Sequence, residues 1–341
     1  MSSDYRRVLG FVALLLGLAA TLPAPRQALT GWLAAFVLQS ATVLGGLLFI
    51  MLVDVIPGIW RNIVRPPAAM LAAGMPLLAV FCLPVLFGIR LIFPWYNGEG
   101  LTGFRAFYLA PLAVAARLIV FFAICIWLQT RLSRAPNRPL AAAALIVFVL
   151  LDGLFATDVV LSLDPQFHSS GFGLYFLSVQ ALTAFSAIIL IRFLLSPPDA
   201  RQRSLMGALF LTLLLSWAYF DFMQYFILWS GNLPARADWF LRRSGGVWSV
   251  LVLIVIILRL GPAFLLLFPP IRQSGRGLRL FAALTLAGSL AEVAWLVIPE
   301  LESPTWAIVI YLVTSAGMAL LTSVSLAQAR TELARVGKER P

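Results

Sequence analysis

The sequence predicts an all-α, polytopic membrane protein. Hydrophobic residues make up 61% of the 341-residue chain and charged residues only 11%. Mean hydropathy is +0.96. Apolar runs long enough to cross a bilayer recur from end to end, whereas a water-soluble domain of this composition would expose a large greasy surface. The amino-terminal run lacks a convincing small-residue cleavage site, so it is read as a retained helix rather than a removed leader.

Ten runs are expected to span, at about 8–24, 31–56, 68–93, 110–131, 140–162, 172–195, 204–230, 247–268, 278–298 and 305–327. Each is near the roughly 20 residues that a bilayer requires. Pro23 and Pro25 stop the first, because proline cannot continue the hydrogen-bond ladder. The formal net charge of +11 is almost entirely arginine in short loops. That distribution fits orientation in a membrane and not nucleic-acid binding. With the N-terminus cytoplasmic, that side collects seventeen Lys and Arg residues, against six on the other (Arg26, Arg90, Arg105, Arg236, Arg242 and Arg243). Both termini are therefore expected in the cytoplasm, with the loops 94–109 and 231–246 and the stretch LSLDPQFHSSGFG (161–173) facing outward. Residues 1–327 form one integral membrane domain, and 328–341 a short, charged cytoplasmic tail expected to be loose.

The cysteine and histidine counts exclude several chemistries. Cys82 and Cys125 both lie in apolar runs, outside any C-x-x-C, and read as small buried hydrophobes. His168 is the one histidine in the chain. A bis-histidine haem needs two, covalent haem needs C-x-x-C-H, and iron–sulfur clusters need about four cysteines. No metal site and no redox cofactor are expected on this chain. Nucleotide-binding, serine-hydrolase and zinc-protease motifs are absent from the sequence.

The informative residues are ionisable groups within apolar runs, each costing about 2.5–3.5 kcal/mol at bilayer depth. They are Arg117 in the fourth run, Asp152 and Asp158 in the fifth, Asp221 in the seventh, Arg259 in the eighth and Glu292 in the ninth. Two readings stand side by side: a proton path through the bundle, or ion pairs in which Arg117 and Arg259 each neutralise a carboxylate. Asp54, followed closely by Pro57 and Arg61, reads as interfacial. In WAYFDFMQYFILW, helical spacing puts Trp217, Asp221, Gln224 and Tyr225 on one face. A carboxylate beside an amide and a phenol suits water or a quinone head group; the alternative is a helix–helix hydrogen-bond cluster. Asp158 and His168, near the outer end, are further quinone candidates. An unperturbed histidine titrates near about 6.5 and would accept a quinol proton there. Asp164 and Pro165 read as a helix-ending turn.

Two stretches resemble a known family: DGLFATDVVLSLDPQFHSSGFGLYF and WAYFDFMQYFILWSGNLPARADWFLRR. They are similar to the NrfD-like (polysulfide-reductase membrane-subunit) superfamily, in particular the ActF-type subunit of bacterial alternative complex III. The matching positions are Ser162 to Pro165, Phe167, Ser169, Ser170, Phe172 and Gly173, then Gln224, Tyr225, Trp229, Gly231, Asn232 and Pro234. The chain departs from the family pattern at His168, where an aromatic is usual, at the charged Asp221, and in the Ala-Arg-Ala-Asp that follows Pro234. The resemblance implies two four-helix bundles with flanking helices in the bacterial inner membrane. It implies a subunit of a quinol:electron-acceptor oxidoreductase feeding cytochrome c or an oxidase, with menaquinol or ubiquinol as substrate. Haem c and iron–sulfur clusters would sit on partners: multihaem c-type cytochromes and a periplasmic iron–sulfur protein. A sister NrfD-like subunit and a terminal oxidase complete the implied partners, the sister being the stronger candidate for the productive quinol site. The alternatives are a membrane subunit of a polysulfide- or tetrathionate-type reductase, or a stand-alone secondary transporter. Against the transporter, the two halves lack matching pairs of Gly/Pro-broken helices.

Overall fold

In the lipid interior only helices satisfy every backbone hydrogen bond within one segment, and the apolar runs fold accordingly. The structure, a computed structural model, describes residues 3–97, 103–231, 234–301 and 303–338; side chains are not described at 97, 234–236 and 329–338. Asn232 of the turn motif and tail residues 339–341 lie outside the described residues, as do the side chains of Pro234, Arg236, Arg330, Arg335 and Lys338.

The main helices are α1 (Ser3–Ala19), α2 (Pro25–Val55), α3 (Trp60–Phe87), α4 (Pro111–Arg134), α5 (Arg138–Val159), α6 (Phe172–Leu195), α7 (Ala200–Ser230), α8 (Val247–Leu266), α9 (Gly275–Val297) and α10 (Thr305–Lys338). Among the described residues there is no strand. Among the described residues nine helical segments, α2 to α10, are long and apolar enough to cross a membrane. The architecture is that of a polytopic helical membrane protein.

The first expected span differs from the rest. It folds as α1, but over 17 residues, about 25 Å at 1.5 Å per residue. That is less than the roughly 30 Å hydrocarbon core. α1 lies along α10, where Gly10 faces Leu321 and the Gly317 carbonyl so closely that a Cβ would come within 2.7 Å of Leu321. Small residues let membrane helices approach in this way. α10 extends past the expected boundary to Lys338, into the segment expected to be loose. Its Ala, Leu, Arg and Glu residues favour helix on their own.

α3 begins at Trp60, eight positions before the expected run. Arg61 and Arg65 had interrupted the apolar pattern, yet both turn onto Asp54 of α2, at 3.4 and 2.9 Å. Arg65 also donates to the Leu132 carbonyl of α4 at 2.6 Å, tying α2, α3 and α4 together. Asp54, expected at an interface, is therefore buried and paired. α3 is not a smooth helix. Pro66 and Pro67 lie inside it, and new turns start at Met75 and Leu83, each with proline near its first position.

α2 is the hub. In its most apolar window 83% of residues are buried within the protein, and it packs on α3, α5, α6, α9 and α10. A helix that is apolar on all sides belongs in such a position. Gly45 of α2 lies so close to α6 that a Cβ would come 2.5 Å from Ala184 Cβ and 2.6 Å from the Gln180 carbonyl. α6 in turn packs on α7 and α9, and α8 lies mainly along α9.

Candidate functional site

The stripe on α7 opens onto a cavity. Trp217, Asp221, Gln224 and Tyr225 line it, together with Tyr175 of α6, Ile256 and Leu260 of α8, and Glu292 and Trp295 of α9. Its volume is about 350 Å³. Helical spacing put these four α7 residues on one face, and their shared face is the cavity wall.

Glu292 is the best-coordinated group in the site. Its Oε1 accepts from Tyr175 Oη and from Trp217 Nε1, both at 2.8 Å. Its Oε2 lies 2.6 Å from Arg259 Nη2. The Arg259 guanidinium is fully buried, donates to Ser289 Oγ at 3.0 Å, and sits 4.4 Å over the Trp217 ring. Ser289 Oγ is in turn 2.8 Å from Thr183 Oγ1 of α6. Arg259 Nε and Nη1 have no hydrogen-bond partner among the described residues, so the face of Trp217 is their compensation. Four helices thus converge on one ion pair.

Asp221 is different. It lines the cavity and makes no hydrogen bond to the described residues. Gln224, one turn further along α7, accepts at its Oε1 from Ser169 Oγ. That contact ties the 161–173 turn to α7, with the Gln224 amide NH2 beside Gly171 at the turn end of the cavity.

An aromatic roof covers the end of the cavity next to the turn. Phe167 stacks on Trp239, with centroids 4.5 Å apart and an interplanar angle of 16°. Trp239 meets Phe240 and Trp295 edge-on. Trp239 and Phe240 belong to a short helix, Pro234–Leu241, within the expected loop 231–246. Arg243 anchors them from below. Its guanidinium lies 3.9 Å from the Trp239 ring and pairs with Glu300 at 2.5 Å. Burial lowers the Arg243 pKa, and the Glu300 charge works against that shift. The turn is braced as its sequence predicted: Asp164 Oδ1 accepts from the Gln166 N–H at 2.9 Å, and Asp164 also pairs with Arg242.

The remaining candidates lie elsewhere. Arg117 holds Asp158 with two bonds, Nε to Oδ2 at 2.8 Å and Nη2 to Oδ1 at 2.9 Å. Together they line a separate cavity of about 230 Å³ between α4 and α5. Arg117 also lies 4.0 Å over the Tyr108 ring. Burial, and then the Asp158 charge, push the Tyr108 phenol well above its ordinary pKa. Asp152 is fully buried and accepts from Gln180 Nε2 at 2.8 Å. His168 lines a third cavity at the turn, with its Nδ1 2.6 Å from the Gln166 carbonyl. Among the described residues no cluster of three His, Cys, Asp or Glu side chains could hold a metal ion.

Sequence reasoning missed Tyr175, Phe167, Phe240, Trp239 and Trp295 as cavity residues. A signal existed for two of them: Trp239 and Phe240 form an adjacent aromatic pair five and six residues after Pro234. Comparison with protein-family models finds no match for this chain, and comparison with curated proteins finds no significant one.

Proposed function

We propose that this chain is an integral membrane subunit of a quinol:electron-acceptor oxidoreductase of alternative complex III type, and that it holds quinol in the α7 cavity. One observation carries the reading: a carboxylate and an amide on α7 face an aromatic-walled cavity embedded among apolar helices. Such a site suits a flat, lipid-soluble molecule whose ring oxygens give and take hydrogen bonds. The motifs around 161–173 and 217–234 point the same way.

On this reading α2 to α5 and α6 to α9 form the two bundles, with α1 and α10 flanking. Both termini face the cytoplasm of a bacterial inner membrane, and the aromatic roof faces outward. On this reading electrons leave to haem c and iron–sulfur clusters held by partners. Asp152, Asp158 and Glu292 remain candidates for proton conduction beside the ion-paired arginines.

Purification from native membranes in mild detergent tests the reading. We expect c-type haem absorbance and iron–sulfur signals to co-purify, with quinone in the solvent extract. A chain that runs alone from native membranes, without either signal, sinks it. An iron–sulfur partner without haem c would move the assignment to the polysulfide- or tetrathionate-type reductases.

A further inference from the structure

The quinol reading leaves open how a ligand reaches the cavity and which group meets it. We infer that the ring of a quinone or quinol enters sideways from the bilayer, between α7 and α8, and that Asp221 and Gln224 are the residues that meet its oxygens. This rests on the cavity being a quinol site.

The other walls are closed. Toward the turn, Phe167 and Trp239 are stacked and both buried, and Arg243 with Glu300 holds them down. Toward the interior stand Tyr175, Trp217 and the Glu292–Arg259 pair. The side between α7 and α8 is open. Phe222 and Tyr225 on α7 are 57% and 51% exposed, and Ile256 and Leu260 on α8 are 37% and 42% exposed, yet all four line the cavity. These helices face lipid over much of their length, with only 28% of each apolar window buried. A mouth rimmed by Phe, Ile and Leu turns hydrated solutes away, since they would lose water without replacement hydrogen bonds. It admits a ring that carries an apolar tail, and the tail can stay in the lipid.

The choice between the two carboxylates follows from their bonding. Glu292 Oε1 already accepts two hydrogen bonds, and Oε2 faces Arg259. Glu292 Oε2 makes no hydrogen bond of its own, but its charge is balanced by Arg259 and its Oε1 is shared by two donors, so the carboxylate without any such partner is the one open to a ligand. Asp221 has no hydrogen bond from the described residues. Gln224 has given its carbonyl to Ser169, and its NH2, without a hydrogen bond from the described residues, lies beside Gly171 at the turn end of the same cavity. An acceptor and a donor one turn apart on α7 match a ring hydroxyl and a ring carbonyl.

The test uses the purified full chain in nanodiscs of quinone-free phosphatidylcholine, titrated with decylubiquinone. Trp217, Trp239 and Trp295 line the cavity, so binding is read as saturable quenching of tryptophan fluorescence. We expect Asp221→Asn to weaken binding about tenfold, as loss of a charged acceptor implies. Ile256→Phe and Leu260→Phe, both at the mouth, should slow association and dissociation together severalfold, with little change in affinity. Unchanged rates in both mouth variants overturn sideways access. Unchanged affinity in Asp221→Asn overturns its role. Quenching relieved equally by decanol marks a mere acyl-chain groove and overturns the inference, while co-purification of haem and iron–sulfur partners would still support the subunit assignment.

Discussion

Removing the Glu292 carboxylate should be among the most damaging single changes in the membrane domain. In Glu292→Ala the fully buried Arg259 guanidinium loses its counter-charge at 2.6 Å, and Tyr175 and Trp217 lose a shared acceptor at 2.8 Å. An uncompensated buried charge costs about 3–5 kcal/mol. The hydrogen bonds alone weigh less, since interhelical bonds in membrane bundles average about 0.6 kcal/mol and reach about 1.7. Tyr175→Phe, which keeps the ion pair, should therefore cost only about 1 kcal/mol. Adding Arg259→Met to Glu292→Ala should recover much of the loss, because the stranded charge is gone and only packing defects remain. The assay is equilibrium unfolding in mixed micelles of SDS and a mild detergent, followed by tryptophan fluorescence on wild type, Glu292→Ala, Arg259→Met, their double variant and Tyr175→Phe. If Glu292→Ala lies within about 1 kcal/mol of wild type, or the double variant is as unstable as the sum of its parts, the pair does not carry the charge balance of the cavity.

Gly45→Ala should destabilise the chain by about 1–3 kcal/mol in the same assay, because the new methyl meets Ala184 and the Gln180 carbonyl at 2.5–2.6 Å. Asp158→Asn should cost about 1–2 kcal/mol; the partly accessible Arg117 retains its bond to the Tyr108 carbonyl, which softens the loss. Tyr108 has a folded pKa raised above its ordinary value of 10.0 by burial and by Asp158. Its contribution to stability is complete below the unfolded pKa and is lost as pH rises through the folded one. Wild type should thus lose stability above about pH 10 by more than Tyr108→Phe does. Subtracting the Tyr108→Phe ultraviolet titration from that of wild type should reveal no tyrosinate from Tyr108 near pH 10. A normal equivalent there refutes the shift.

The helical content was plain in composition alone, and the depth of the charged residues marked most of the polar cavity wall. Both arginine pairings follow from the same rule, that a charge in a bundle finds its opposite. What escaped lay outside these rules. The start of α3 was hidden because Arg61 and Arg65 broke the apolar run, and only the folded chain reveals Asp54 as their common partner. The aromatic roof comes from a connecting segment, and its register against Phe167 is set by tertiary packing. Periodicity could not single out Tyr175 on α6, a helix buried on several sides, where apolar residues face every direction.

Two of the ion pairs between membrane-spanning helices share a property of chain order. Arg117 and Asp158 belong to the successive helices α4 and α5, and Arg259 and Glu292 to the successive helices α8 and α9. Each of these helices, entering lipid alone, would carry a bare charge at a cost of about 2.5–3.5 kcal/mol. Entering as a hairpin, each pair of helices brings these two charges in already matched. During synthesis the chain therefore never has to wait for a distant segment before these charges can leave the translocon. The same pairings that organise the finished bundle also divide its assembly into self-sufficient steps.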